Sequence, residues 1–432
     1  MRGSSSFSWW RRPKTAARAY EERRERRRRQ QGQDLLALSV ASIGDHDNLY
    51  DVYQKARQGG AASGIDGVTY ADLSNSEVGQ IMRKVSAAIL NGTYRPHEAR
   101  PVSIPKPGTG ASRQLKIGVV CDRVVAKALY LRLKCHWEAT FLPCSFGFRE
   151  AIGPWQMLAV LEGQMVRQDR WVLAIDDVKN AFDNVPIEDV LTCHRRMLKS
   201  LPLPENVEDR AKAKQERERL MWLIETVVRG GDPQRSRGID QGNPYSPVCL
   251  NALMHYGVDQ PIMDMIGVPL QWFRYADNLV YLAASVSAGR SFLRLVRRLL
   301  EPLGLTLKGE DGVQNLARGK EVQLLGFSLR RKDNGVLYGL GKKALDHLTQ
   351  NLGSAHDMPH PTSSARESLL GWVDAMGPAF ENGVDDLSVV LNIAANNGFR
   401  ELASSRELRR RWKRSWDRWQ ETRDRAYCSA RG

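Results

Sequence analysis

Two apolar segments flank a polar pair in the second half of the chain. Gln271-Trp272-Phe273-Arg274 and Leu279-Val280-Tyr281-Leu282 are rich in aromatic and β-branched residues and predict two short strands. Tyr275-Ala276-Asp277-Asn278 between them reads as a tight turn, because Asp and Asn tolerate turn geometry. A third strand-like run, Arg170 to Ile175, ends in the polar cluster Asp176-Asp177-Val178-Lys179-Asn180-Ala181-Phe182-Asp183-Asn184. A helix is expected from about Pro186. Between these regions, the Gly-containing turn Arg237 to Pro247 feeds an apolar stretch, Val248 to Met254, that reads as helix and lets backbone approach a ligand closely. A hairpin is expected around Val102 to Ile117. Pro202 to Arg219 is charged, with prolines at its start, and reads as a surface insertion leading into a helix at Leu220 to Val228. Trp412, Trp416 and Trp419 recur at i, i+4, i+7, on one helical face.

The carboxylates at the strand ends change this picture. An Asp-Asn pair between strands is ordinarily only a turn, Asp183 is placed to cap the following helix, and Asp176 can be solvated. Yet carboxylates at the end of a buried strand are costly unless paired or bound to cations. Hard oxygen ligands suit Mg²⁺ or Mn²⁺ and not zinc. Two strand-borne Asp sites are the minimum for a two-cation phosphoryl-transfer centre, with ions ~3.5–4 Å apart.

Taken in order, these segments resemble the reverse transcriptases, most closely the group II intron and group II-like bacterial branch. The resemblance runs from about Tyr50 to about Leu340. It is carried by Gly64-Ile65-Asp66-Gly67-Val68-Thr69, Gly92-Thr93-Tyr94-Arg95-Pro96, Ile104-Pro105-Lys106-Pro107-Gly108 with Arg113-Gln114-Leu115, and Asp122-Arg123-Val124-Val125. Ser145-Phe146-Gly147-Phe148-Arg149, the Asp177 segment, Gln241-Gly242-Asn243-Pro244, the Tyr275 turn, Leu303 to Leu307 and Leu324-Leu325-Gly326-Phe327 complete the series.

The resemblance implies an α+β right-hand polymerase: a basic arm over 1–45, fingers over 46–170, a palm with a small antiparallel sheet over 171–340, a helical thumb over 341–400, and a basic, Trp-containing helix over 401–432. It implies an RNA-directed DNA polymerase working by two-metal nucleotidyl transfer. Asp177 and Asp277, with Asn278, are the expected metal and catalytic positions; Asp177 rather than Asp176, because the family places an aromatic residue five positions on, here Phe182. A ring beneath the incoming sugar leaves no room for a 2′-hydroxyl and selects deoxynucleotides, unless Phe182 is merely core. Lys106 and Arg113 are expected to grip the triphosphate, and Gln241 and Gly242 to meet the nucleotide sugar or template. Magnesium is the expected ion, with manganese the alternative. The expected partners are an RNA template, a DNA or RNA primer and deoxynucleoside triphosphates.

Two departures matter. Asn278 stands where the family usually has a second Asp, keeping a carbonyl oxygen but losing a charge. The family's Lys near Asp311, a general acid for pyrophosphate, is missing; Lys308 substitutes only if its loop is rearranged. The alternative reading is therefore a catalytically weak or inactive RNA-binding maturase or scaffold. An RNA-templated RNA polymerase is a third, opposed by Phe182.

The formal net charge of +15 agrees with a nucleic-acid partner and with salt-sensitive binding. Basic residues concentrate at Arg11 to Arg29, an arm expected to be poorly ordered without RNA, and at Arg409 to Arg418. The tryptophans among the latter are read as packing against the polymerase body, with stacking on unpaired bases as the alternative. The six cysteines have no C-x-x-C spacing, so no zinc site is expected. No signal peptide or membrane-spanning run is seen, and reduced thiols and a cytoplasmic address are the default. No Cys-paired endonuclease module follows the thumb, so the chain reads as a standalone enzyme. Such enzymes occur in retroelements, CRISPR adaptation, DNA repair and antiviral defence. The cognate RNA, priming mode and oligomeric state are not specified by the sequence.

Overall fold

The computed structural model describes residues 38–58, 62–105, 112–266, 271–309, 312–383 and 387–430. The basic arm expected to be poorly ordered, and Lys106, lie outside the described residues.

Three helices open the described chain: α1 (Val40–Gly44), α2 (His46–Ala56) and α3 (Asn75–Leu90). Ser39 and Ser74 begin α1 and α3 with reciprocal capping boxes, and Asp45 caps α2 through the N–H groups of Asp47 and Asn48. Strands β1 (Arg100–Pro105) and β2 (Ser112–Ile117) form an antiparallel hairpin, with Arg100 opposite Ile117 and Pro105 opposite Ser112. The long helix α4 (Val120–Thr140) and then α5 (Pro154–Gln168) carry the chain to the central sheet.

That sheet is four-stranded and antiparallel, in the order β4-β5-β3-β6. Its strands are β3 (Val172–Asp177), β4 (Trp272–Tyr275), β5 (Asn278–Ala283) and β6 (Gly312–Asn315). Because side chains alternate along a strand, the sheet feeds two apolar cores. Trp272 and Leu279 join one with Phe292 and Val296 of α10 (Val286–Leu300), where the Tyr281 and Phe292 rings stack 3.8 Å apart. Leu173, Ile175, Phe273 and Val280 join the other with Met157, Leu158 and Leu161 of α5. Both faces of the sheet are thus covered, which is why β3 reads as an unbroken apolar run up to its carboxylates.

Helices α6 (Ile187–Lys199), α7 (Val207–Arg229), α8 (Ser246–Met254) and α9 (Gln260–Ile266) lie between β3 and β4. The helix expected to start at Leu220 starts instead at Val207, so most of the charged stretch leading into it is the first half of α7. Asn206 caps it by accepting from the Glu208 N–H, Ala213 is buried, and Glu216 both accepts from the Val40 N–H and pairs with Arg219. Dense surface charge concealed the helical period.

A second sheet, β7 (Val322–Leu324), β8 (Phe327–Lys332) and β9 (Gly335–Leu340), packs with α11 (Lys342–Ala355), α12 (Pro361–Ala375), α13 (Leu387–Asn396) and α14 (Ser405–Ala430). Trp412 and Trp419 of α14 are wholly buried, and the Trp412 indole donates to the Met376 carbonyl at 2.7 Å. These two rings pack against the protein body and are not presented to bases. Among the described residues no helix is long and apolar enough to cross a membrane.

Candidate catalytic site

The β4–β5 hairpin closes through a two-residue turn, Ala276-Asp277, with Tyr275 paired to Asn278. Ala276 has φ +56°, in the left-handed region where L-residues other than Gly, Asn and Asp are uncommon. The turn is tied to the end of β3 by the Val178 N–H, which donates to the Asp277 carbonyl at 3.1 Å. The β3–β5 register places Asp177 opposite Asn278. Asp177, Asp277 and Asn278 therefore come from segments a hundred residues apart and meet at one end of the sheet.

Alternation separates Asp176 from Asp177. Asp176 is buried, and its Oδ1 accepts from the N–H groups of Asp177 and Gly309, both at 2.9 Å, so this oxygen holds the loop after Thr306. Asp177 is half-buried on the face shared with Asn278. Its Oδ2 pairs with the Lys308 ammonium, while its Oδ1 is buried without a hydrogen-bond partner. Burial first, and then the charge of Asp277, push the Asp177 carboxyl up to about 6, with Lys308 opposing the rise. A partly desolvated pair of carboxylates with an unsatisfied oxygen suits a hard divalent cation, and the donor set is all oxygen. Residues Asp177 and Asp277, with the Asn278 amide beside them, are the ones that fit such an ion.

Phe182 lies in a helical turn, Ala181–Asn184, entered through Asn180 at φ +45°. It is half-buried and meets the exposed Phe148 ring edge-on, with centroids 6.1 Å apart. Its backbone carbonyl accepts from the Ile239 N–H at 2.9 Å, bringing the Gln241 turn alongside. The Gln241 carbonyl in turn accepts from the Lys116 N–H at 2.8 Å, which fixes β2 to this turn. Gly242 has φ +113°, and a Cβ there would stand 3.0 Å from the Lys116 carbonyl oxygen, so glycine is needed on both counts. Arg113 stands exposed on β2 opposite Ile104. Lys106 is outside the described residues.

Two contacts lay beyond the sequence reading, although both residues were named in it. Lys308 reaches Asp177 from a loop whose own backbone is bonded to β3, through the Lys308 N–H to the Asp177 carbonyl at 2.8 Å; nothing in its neighbours' residue types signals this. Gly147 lies directly beneath the turn: a Cβ there would fall 2.2 Å from the Ala276 nitrogen. Away from the site, His97, Cys121 and Asp122 are close enough to share a metal ion. Asp122 already accepts from the Tyr94 hydroxyl at 2.8 Å and the His97 N–H at 2.7 Å, and burial pushes the Cys121 thiol up to about 12.

A β-hairpin over a helical layer, a small antiparallel sheet bearing carboxylates at one end, and a following helical bundle define a right-hand polymerase fold of the α+β class. The chain belongs to the reverse transcriptase (RNA-dependent DNA polymerase) family, whose sequence profile matches residues 104–329. It is 26% identical over 208 residues to protein YkfC of Escherichia coli (strain K12), covering 46% of this chain and 49% of that protein. It is 26% identical over 141 residues to the group II intron-encoded protein LtrA of Lactococcus lactis subsp. cremoris, covering 32% of this chain and 22% of that protein. The chain thus spans about half, or less, of the length of the curated relatives it matches. Among solved structures it is similar to apo telomerase from Candida tropicalis, with TM-score 0.44 and 10% identity over 81% of this chain and 74% of that one. It is also similar to the Sicinivirus 3Dpol RNA-dependent RNA polymerase, with TM-score 0.43 and 11% identity over 73% and 64%.

Proposed function

We propose that this chain is an RNA-directed DNA polymerase that extends a DNA or RNA primer with deoxynucleoside triphosphates on an RNA template. The observation that carries the proposal is the register placing Asp177 opposite Asn278, with Asp277 at the adjoining turn. Asp177, Asp277 and Asn278 would hold a divalent pair there, magnesium or manganese, and such a pair would supply the positive charge that favours ionisation of the primer hydroxyl and departure of pyrophosphate. Asp177 and Asp277 supply the anionic oxygens for it, and Asn278 an uncharged one. Phe182, backed by Phe148, closes the space that a ribose 2′-hydroxyl needs. Gln241 and Gly242 offer backbone close to the sugar or template. Arg113, on the β1–β2 hairpin, and Lys106 grip the triphosphate as planar fork and point charge. Positioning and electrostatics supply most of the acceleration in such transfers.

Primer extension on an RNA template tests the assignment. Wild type incorporates deoxynucleotides, and Asp277→Ala loses incorporation while keeping RNA affinity. Product that persists in the variant removes the site from consideration. The Lys308–Asp177 pair and the neutral Asn278 favour a second reading, an RNA-binding scaffold that keeps the fold without turnover. It requires tight, salt-sensitive RNA binding by the wild type and no incorporation with either ion.

A further inference from the structure

Arg274, the residue before Tyr275, is fully buried, as is its carboxylate partner Asp259. Its guanidinium has five N–H donors, and the structure gives each a partner. Nε donates to the Asp259 carboxylate, with 3.0 Å to Oδ1, and Nη2 to Asp259 Oδ2 at 2.6 Å. The second Nη2 hydrogen goes to Ser145 Oγ at 2.7 Å. Nη1 donates to Asn251 Oδ1 at 2.8 Å and to the Ala276 carbonyl at 2.9 Å. The last of these grips the peptide that leads directly into Asp277.

The partners are themselves fixed. Asp259 closes a π-helical turn, His255–Asp259, between α8 and α9, and also accepts from the Trp272 indole at 3.0 Å. The wider turn re-aims one residue inward, as such turns commonly do at functional sites. Asn251 donates to the Gly147 carbonyl at 2.8 Å, and Gly147 is the residue against which the turn rests. Main-chain bonds from the Arg274 N–H to the Cys144 carbonyl at 2.7 Å, and from the Phe146 N–H to the Arg274 carbonyl at 2.8 Å, bridge the chain at Ser145 to β4.

We propose that Arg274, locked by Asp259, is the positioning residue that sets where Asp277 stands. This rests on the polymerase reading above. The guanidinium joins three separate segments and holds from inside a turn whose Ala276 backbone is in the left-handed region. Lysine cannot replace it, since an ammonium has three donors and no planar fork. The surrounding groups then keep their places while the Ala276 peptide loses its anchor.

The test uses the full chain bound to an RNA template with a chain-terminated primer. Free Mn²⁺ is titrated by electron paramagnetic resonance, a readout independent of turnover, and single-nucleotide incorporation is measured separately. Arg274→Lys is expected to bind RNA like wild type, to bind Mn²⁺ about tenfold more weakly, and to lose about a hundredfold in kcat with little change in the KM for nucleotide, the scale expected of an ångström-sized misplacement. Ser145→Ala, which removes one hydrogen-bond partner of the guanidinium and leaves the ion pair intact, is the second variant should Arg274→Lys fail to fold; about fivefold weaker Mn²⁺ binding is expected, the scale of one hydrogen bond. A folded variant of either kind with wild-type Mn²⁺ affinity and wild-type kcat overturns the inference. Wild type that binds Mn²⁺ but incorporates nothing overturns the polymerase reading instead, and the shift in Mn²⁺ affinity between variants still decides the role of Arg274.

Discussion

Lys308 sets its ammonium against the carboxylate of Asp177, across 131 residues of sequence. The opposing influences are burial and Asp277, which together leave the carboxyl near 6 against an ordinary value of 3.8. The folded value lies above the unfolded one, so the folded state binds this proton more tightly. The ionised form therefore costs stability in full above about pH 6, and the cost disappears below about pH 4. Relative to Asp177→Asn, chelator-treated wild type should gain stability as pH falls across that window, as read from denaturant midpoints at each pH. Parallel curves for the two proteins would remove the buried-charge account. Incorporation should decline through the same window, because a protonated carboxyl holds no cation. Lys308→Met removes the opposing charge and should move that decline to higher pH.

Asn278 keeps an oxygen at the turn but no charge. Asn278→Asp adds a carboxylate directly across the ladder from Asp177. Cation affinity follows the number of charged ligands, so the Mg²⁺ concentration for half-maximal extension should fall, by about tenfold. An unchanged Mg²⁺ dependence would mean that this position does not face the ions.

The Phe182 ring is braced edge-on by Phe148 rather than free to swing. Phe182→Ala should raise ribonucleotide use relative to deoxynucleotide use by about tenfold or more, in line with the ~1–3 kcal/mol that one pocket contact contributes to discrimination. Competition between the two nucleotide types in single-turnover extension measures this. No change would mean that the ring is not the gate.

Trp412 fills the core between α14 and the Met376 carbonyl. Trp412→Ala should cost about 3–5 kcal/mol of stability, seen as a lower urea midpoint. RNA affinity of the folded variant should be unchanged, since the removed ring touches protein. A weaker RNA affinity in the folded variant would restore the base-stacking alternative.

The elements around the carboxylates were legible because each had a local signal. Aromatic and β-branched residues on either side of Ala276-Asp277 marked the hairpin, and the apolar run before Asp176 marked a buried strand. The positive charge at Lys308 was visible, but its target depends on how the loop after Thr306 is bonded to β3. Arg274 stood within a segment read as a strand, with no signal of its own; its partner Asp259 comes from a π turn that no periodicity announces. The first half of α7 was missed because charged residues on every side hide a helical repeat. The tryptophans of α14 were legible as a face, since i, i+4, i+7 spacing survives even among arginines.

Neighbouring Asp176 and Asp177 differ in parity. One sits at an even step of β3 and the other at an odd step, so the ladder sorts two chemically identical side chains into a loop anchor and a half-buried acid facing the turn. Removing one residue from the strand would not weaken this arrangement gradually. It would exchange the two assignments, along with every apolar neighbour behind them.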